Sequence, residues 1–302
     1  MTDNVLLTGA SGQLGQSFRQ YWDAAGQGNE RKLIALSRDG FDLTDEAGML
    51  NALNKYQPTV LLNAAAYTAV DGAESDRETA FQVNSNAVAV MAHWCKQHTA
   101  HMIHVSTDFV FDGKAEEPYQ PDHQTSPLGV YGASKLEGEK KLLEVLPSAT
   151  IVRTSWLYSE YGHNFVKTML RLMREKESLG IVDDQRGSPT STHSLARVLH
   201  TLATEKCPGG IYQWNDGANI SWYEFAQAIQ RLGMESGLLE KAIPLNPLTT
   251  ADYPTPAQRP AYSVMDRSKA LDLPGFSVLS WESELRRVIE ALAANETTGL
   301  TQ

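Results

Sequence analysis

A doubly wound parallel α/β sheet, followed by a smaller and less regular α+β part, is the fold class this sequence predicts. Three observations predict it. Short apolar runs alternate with helical patterns from the first residues, a glycine turn joins the first run to the first helix, and after about Tyr158 the rhythm changes. The runs at Asn4–Thr8 (NVLLT), Lys32–Leu36 (KLIAL), 59–63 (TVLLN), 102–106 (MIHVS) and 150–153 (TIVR) are nearly continuous in apolar residues. Strands covered on both faces read this way. Between them apolar residues recur at helical spacing, as at Leu136, Leu142, Leu143 and Leu146. Parallel neighbours need such crossovers, so strand, helix, strand implies a parallel sheet.

Further on, the pattern predicts a helix over 164–177, a short strand at Leu179–Val182 and a helix over 193–204. Ser221 with Glu224 three residues later forms a capping box opening a helix over 222–232. Residues 244–260 hold five of the 13 prolines, which predicts an ordered loop or linker. A last helix over 281–294 precedes a polar tail, ETTGLTQ, expected to fray. The expected division is a dinucleotide-binding domain over 1–158, to which 183–218 returns, and a substrate domain made of 159–182 and 219–302.

Composition narrows the function. The chain has 302 residues, with 26 Lys and Arg against 36 Asp and Glu, a net charge of −10. Without a basic run, nucleic-acid partners are excluded first. The 42% hydrophobic and 21% charged content is that of a globular chain able to bury a core. Two cysteines, Cys95 and Cys207, cannot form a disulfide framework and suit a reducing compartment. MTDNVLLTGASG enters a strand at once, without a basic and apolar leader pattern. No window approaches the ~18 apolar residues of a membrane span, so a cytosolic protein with no membrane partner is expected.

Gly9, Ser11, Gly12, Gln13, Leu14 and Gly15 form a G-x-x-G-x-x-G turn after the first strand. Glycines there keep the turn tight, let backbone approach a pyrophosphate and let the helix pack on its strand. The helix N-terminus offers unpaired N–H groups to phosphate. In the first crossover of a doubly wound chain this predicts a dinucleotide site. The second strand ends Leu36-Ser37-Arg38, where NAD sites place a carboxylate for the ribose hydroxyls. Ser37 and Arg38 would instead hydrogen-bond and neutralise a 2′-phosphate, favouring NADPH, with NADH the alternative. Asp42 and Leu43 are placed to reach the adenine.

Tyr131 and Lys135 lie four residues apart, hence on one helix face. A cation beside a phenol favours the phenolate and would bring the tyrosine toward the working pH range. Ser106-Thr107-Asp108 ends the fourth strand, at the carboxyl edge where open α/β sheets bind ligands. Its hydroxyl could bond the oxygen that the phenol protonates. Asn84 lies on the preceding helical segment. Three candidates are read as structural: His98, His101 and His104, whose spacing fits no metal site on a strand; Asp183 and Asp184, as caps; and Trp22, Trp94 and Trp281, as packing residues. Arg259, in PTPAQRP, could clamp a diphosphate bidentately or form a surface ion pair.

The segments TGASGQLG, NAAAYTAVDGAE, VNSNAV, STDFVFDG, YGASKLEGE, RTSWLY and DDQRGSPTST, in this order, resemble the extended short-chain dehydrogenase/reductases, and within them the dTDP-4-dehydrorhamnose reductase family. The resemblance runs from about Val5 to Trp281. It implies a Rossmann fold and a catalytic set of Thr107, Tyr131 and Lys135. It also implies a nicotinamide side at Ala64, Ala65, Ala66 and Tyr67, and a sugar site with Thr68, Val70, Asp108, Phe109, Trp156 and Asn164. The implied reaction is NADPH-dependent reduction of the 4-keto group of a dTDP-4-dehydro-6-deoxy sugar, serving cell-envelope polysaccharide synthesis. The related dehydratases place a catalytic glutamate where this chain has Phe109, which has no proton to exchange. A reductase or epimerase of another nucleotide sugar, or an idle NADP-binding regulatory subunit, are the alternatives left open. Some members hold a metal through glutamates at a homodimer interface. The matching positions here are Ser17 and His193, which lack the oxygen cage Mg²⁺ prefers, so no metal ligand is assigned.

Overall fold

The computed structural model describes residues 3–26, 31–274 and 279–299. β1 (Asn4–Thr8) turns into α1 (Gln13–Ala25), followed by β2 (Lys32–Leu36), α2 (Glu46–Tyr56) and β3 (Val60–Asn63). Two short helices, α3 (Val70–Ser75) and α4 (Arg77–Phe81), pass through a π turn at Gln82–Asn86 into α5 (Ala87–His98). β4 (His101–Thr107), α6 (Val130–Val145) and β5 (Thr150–Thr154) complete this part. The second half holds β6 (Leu157–Tyr158), α7 (Phe165–Glu175), β7 (Leu179–Val182), β8 (Arg186–Gly187), β9 (Thr190–Ser191) and α8 (Thr192–Thr204). It goes on with β10 (Gly210–Trp214), β11 (Ile220–Ser221), α9 (Trp222–Glu235), β12 (Leu245–Leu248), α10 (Ser268–Leu271) and α11 (Trp281–Thr297).

Six strands pair in parallel in the order β10-β5-β4-β3-β1-β2. The strand order reverses between β1 and β3, which brings several strand ends to one crevice. Each strand alternates its side chains between two apolar layers. Val5, Leu7, Leu62 and Ile103 pack with Leu14 and Phe18 of α1 and Leu195 and Leu199 of α8. Leu6, Leu61, Met102 and Ile151 pack with Met49, Val88, Met91 and Leu142 on the other face. A third core joins α7, α9 and α11 around Phe225, Leu170 and Leu285.

Several expectations are corrected. The helix expected over 164–177 is α7, with Asn164 as its cap: the side chain accepts from Lys167 N at 3.1 Å. Asp45 caps α2, its side chain accepting from Gly48 N at 3.0 Å. The proline-rich stretch is not all loop, because β12 pairs in parallel with β7, Pro247 opposite Ile181. In a two-stranded sheet each strand has a free edge, and proline is tolerated there. The last helix runs on to Thr297, into the polar tail; residues 300–302 of that tail lie outside the described residues. The capping box stands as expected, Glu224 N donating to Ser221 Oγ at 3.0 Å and Ser221 N to Glu224 Oε2 at 2.7 Å. No helix among the described residues is long and apolar enough to cross a membrane.

One charged pair fastens α6 to the sheet. Arg153 of β5 donates to Glu139 at 2.7 Å and 3.0 Å, and both side chains are buried. Glu139→Ala leaves the guanidinium buried without its carboxylate and should cost about 3–5 kcal/mol in urea unfolding. Glu139→Leu combined with Arg153→Met should recover most of that loss. A single variant as stable as the parent would show that the pair carries no such role.

Candidate active site

The carboxyl ends of β1, β3, β4 and β5 open into a cleft of about 840 Å³. At one end lies the glycine turn. Gly9 has φ +70, where an L side chain is strained, and a Cβ there would sit 2.9 Å from Ala65 N. A Cβ on Gly15 would lie 2.2 Å from Gly9 O, so only glycine lets α1 approach the turn this closely. The N-cap, Gly12, provides no side-chain cap, and the first turn carries no acidic residue. The first N–H groups of α1 therefore face the cleft without a carboxylate in front of them, a cradle suited to a dinucleotide's phosphates.

At the end of β2, Arg38 lines the cleft with its side chain 77% exposed. Its 3.3 Å pair with Asp42 is a surface contact and leaves the guanidinium free to turn. Asp42 also accepts from the backbone and hydroxyl of Thr44, which hold its carboxyl below the usual range. Leu43, Ala64, Ala65, Ala66 and Tyr67 line the same wall.

Thr107, Tyr131 and Lys135 all line the cleft. Thr107 Oγ1 donates to Asp108 Oδ1 at 3.0 Å and accepts from Phe109 N at 3.2 Å. The Phe109 ring packs edge-on against Tyr131, centroids 5.5 Å apart. The expected acid phenol is corrected. Burial pushes the Tyr131 hydroxyl up to about 12, with the Thr107 hydrogen bond pulling it down and the Asp108 carboxylate pushing it up. The Lys135 ammonium donates to Val105 O at 2.7 Å and stands 3.3 Å from His104 Nε2. Burial brings that ammonium down to about 8, with Glu139 opposing. At neutral pH the phenol thus holds its proton, as a proton donor must.

Thr68, Val70, Asp108, Phe109 and Trp156 line the cleft beyond the floor. Trp156, with φ +47, stacks on Trp222 at 3.5 Å. Four expected site residues stand apart. Ser37 does not line the cleft. Asn84, in the π turn, accepts from Tyr67 N at 2.9 Å and donates to Tyr67 O and Ser134 Oγ, each at 3.0 Å. It therefore reaches the wall only through Tyr67. Asn164 donates to Gln13 Oε1 at 2.8 Å and to Ser159 O, tying α7 to α1. Arg259 lines a narrow side pocket with Gln185 and Trp222, and its guanidinium is paired at 2.8 Å and 3.0 Å with Asp71 of α3.

Sequence reasoning missed Thr154, Ser155 and His163, which also line the cleft. The first two precede Trp156 in the RTSWLY segment, at the end of β5. The three histidines do not converge: His98 stacks on Trp94 at 4.1 Å, and His101 bonds Thr150 at 3.1 Å. Ser17 Oγ bonds Thr192 Oγ1 at 2.6 Å and His193 pairs with Glu160 at 2.8 Å. Among the described residues no group of three His, Cys, Asp or Glu could hold a metal.

Residues 3–294 match the family described as the RmlD substrate binding domain. A dTDP-4-dehydrorhamnose reductase from Aggregatibacter actinomycetemcomitans is 40% identical over 94% of this chain and 97% of that protein. The crystal structure of a dTDP-4-dehydrorhamnose reductase from Clostridium acetobutylicum superposes with a TM-score of 0.88 at 35% identity, covering 96% of this chain and 99% of that one. A further one, from Bacillus anthracis in complex with NADP, gives 0.87 at 32% identity over 95% of this chain and 99% of that one.

Burial pushes the Asp108 carboxyl from 3.8 to about 6, against hydrogen bonds from Ser263 and Thr107. The folded chain keeps this proton at pH values where the unfolded chain has lost it, so the associated stability disappears as pH rises from about 4 to above 6. Asp108→Asn removes that dependence. The variant should gain on the parent across this window by roughly 2–3 kcal/mol, read by urea unfolding at both ends. A difference that stays constant with pH would show the carboxyl to be ionised in its ordinary range.

Proposed function

This chain belongs to the RmlD substrate-binding-domain family, and from that premise we propose that it reduces dTDP-4-dehydrorhamnose, dTDP-4-dehydro-6-deoxy-L-mannose, to dTDP-L-rhamnose with NADPH. The observation that carries this reading is that Thr107, Tyr131 and Lys135 line one cleft together with the uncapped N-terminus of α1. NADPH bound along the glycine turn supplies the hydride for the sugar C4. The chain's own residues supply the rest. Thr107 and Tyr131 hydrogen-bond the carbonyl oxygen and orient it. Tyr131 gives that oxygen its proton as the alkoxide develops. An aliphatic alkoxide is more basic than a phenolate, so a phenol near 12 remains an adequate acid. The Lys135 ammonium steadies the phenolate left behind and binds the nicotinamide ribose.

Residues 159–182 and 219–302 would grip the sugar nucleotide, so that binding energy far from C4 orients the keto group. Trp156, stacked on Trp222, is a flat wall for that purpose. Arg259 would reach the diphosphate by leaving Asp71. Two unpaired thiols, Cys95 and Cys207, suit the cytoplasm as the place of this reaction. Phe109 against Tyr131 puts an inert ring where elimination of water would need an acid.

Purified chain mixed with NADPH and dTDP-4-dehydrorhamnose, without any partner protein, should consume the coenzyme. Tyr131→Phe should lower kcat at least ~10²-fold, the scale of general-acid loss. Turnover of that variant at the parent's rate removes the phenol from the mechanism. Arg38→Ala should raise KM for NADPH on the order of tenfold and leave KM for NADH near its starting value. Equal changes with both coenzymes would place the 2′-phosphate elsewhere.

A further inference from the structure

Beneath the cleft floor lies a row of polar side chains that the reaction as described does not use. Thr8, Asn63 and His104 are Cα partners across β1, β3 and β4. All three are fully buried, and they project from the sheet face that carries α6. Ala65 N donates to Thr8 Oγ1 at 3.2 Å, Thr8 Oγ1 stands 2.6 Å from Asn63 Oδ1, and Asn63 Nδ2 stands 3.0 Å from His104 Nδ1. The row ends at Lys135, 3.3 Å from His104 Nε2. It thus joins the glycine-turn side of the cleft to the lysine by hydrogen bonds alone.

We propose that His104 is a positioning residue for Lys135: a neutral imidazole, oriented by Asn63 and Thr8, whose bare Nε2 accepts from the buried ammonium and holds it at the cleft floor. The inference rests on the reading of Lys135 as a charged group of the reductase site. An ammonium has three donors and no acceptor. Val105 O takes one hydrogen, and an ammonium offers another to His104 Nε2, 3.3 Å away. Nε2 therefore carries no hydrogen, and in a neutral imidazole the hydrogen lies on Nδ1. The Asn63 atom facing Nδ1 must then be its carbonyl oxygen, with the amide nitrogen donating to Thr8 Oγ1. That reverses the positions of the two amide atoms and the direction of the Thr8 bond, in which the hydroxyl donates to Asn63 Oδ1; a half-turn of the side-chain amide and a rotation of the Thr8 hydroxyl hydrogen achieve it. A neutral lysine would give the opposite pattern, with hydrogen on Nε2 pointing at Nζ.

The imidazole suits this task because it stays uncharged. Burial and the adjacent ammonium hold it well below its ordinary range. The other groups around Lys135 are few. Tyr131 and Glu139 share its helix, and Glu139 is already paired with Arg153 of β5. Asp108 follows β4 and faces the phenol. From α3, Glu74 reaches the start of α6, where it accepts from Val130 N at 2.8 Å; the π turn contributes Asn84 and no charge at that point. Removing the acceptor at His104 disfavours the charged lysine, so the loss of activity with rising pH should begin earlier.

The test reads His104 directly. In the full chain labelled with ¹⁵N-histidine, the His104 signals near pH 7 should be those of a neutral ring protonated at Nδ1, and Lys135→Met should perturb Nε2 more than Nδ1. A ring protonated at Nε2, or one that titrates as an ordinary histidine, overturns the proposal. Two variants add a kinetic reading. His104→Leu should move the alkaline limb of the kcat profile down by about one pH unit, a tenfold loss on that limb. His104→Gln, which keeps a carbonyl acceptor, should return it toward the parent's position. A limb unmoved in the Leu variant, or equally displaced in both, also overturns it. If Lys135→Met itself reduces the keto sugar at the parent's rate, the failure belongs to the reductase reading of the lysine, while the ¹⁵N spectrum still decides whether His104 holds it.

Discussion

A lysine side chain only 2% exposed is the constraint around which the site is arranged. Taking an ammonium out of water costs several kcal/mol unless fixed dipoles replace the lost hydration. Here the replacements come from two directions. β4 supplies the Val105 carbonyl and the His104 ring, and α6 supplies Glu139 one turn further along. Glu139 is anchored by Arg153, which also donates to Pro121 O and lies over the Phe111 ring. Tyr131, Lys135 and Glu139 follow one another at four-residue steps, so one face of α6 carries a phenol, a cation and the carboxylate that supports the cation. The helix can present that face only because it lies against the end of β4.

Much of this was legible in the chain and some of it was not, for physical reasons that differ by residue. The central strands announced themselves because a strand covered on both faces must be apolar along its length. The glycine turn was legible because Gly9 and Gly15 answer steric demands that no other residue meets. The phenol's acidity is not legible in the sequence: spacing places a cation one helical turn away, and nothing in the chain says that Val105 and His104 engage that cation first. Arg259 presents a similar case. Its type suited a diphosphate, but Asp71 lies nearly two hundred positions away in sequence and meets it only in the folded chain. His104, Asn63 and Thr8 were each unremarkable alone, because their common purpose depends on which strands become neighbours.

The two halves of the molecule are joined at the same place where a coenzyme would sit. Gln13, in the first turn of α1, donates to His163 O at 3.1 Å and accepts from Ser159 and Asn164. Its side chain is thus shared between the cleft and the segment leading into α7. Across the mouth, Asp71 receives both Arg259 and the backbone of Ala257. The cleft is closed by contacts that each belong to both halves, so the spacing between its walls follows from how those halves pack.

The lateral alignment of Thr8, Asn63 and His104 has a bearing on assembly of the sheet itself. A strand shifted by one residue exchanges its two faces. Sliding β3 that far would carry the Asn63 amide into the apolar layer shared with α1 and α8, stripped of both neighbours, at a penalty of roughly 1–3 kcal/mol for each stranded polar group. The β-runs VLLN and IHVS are otherwise so uniform in hydrophobicity that slipped pairings would bury similar oily area. Three hydrophilic side chains at matched heights act as index marks, and they make the correct alignment of three parallel strands the only one in which each mark finds its mate.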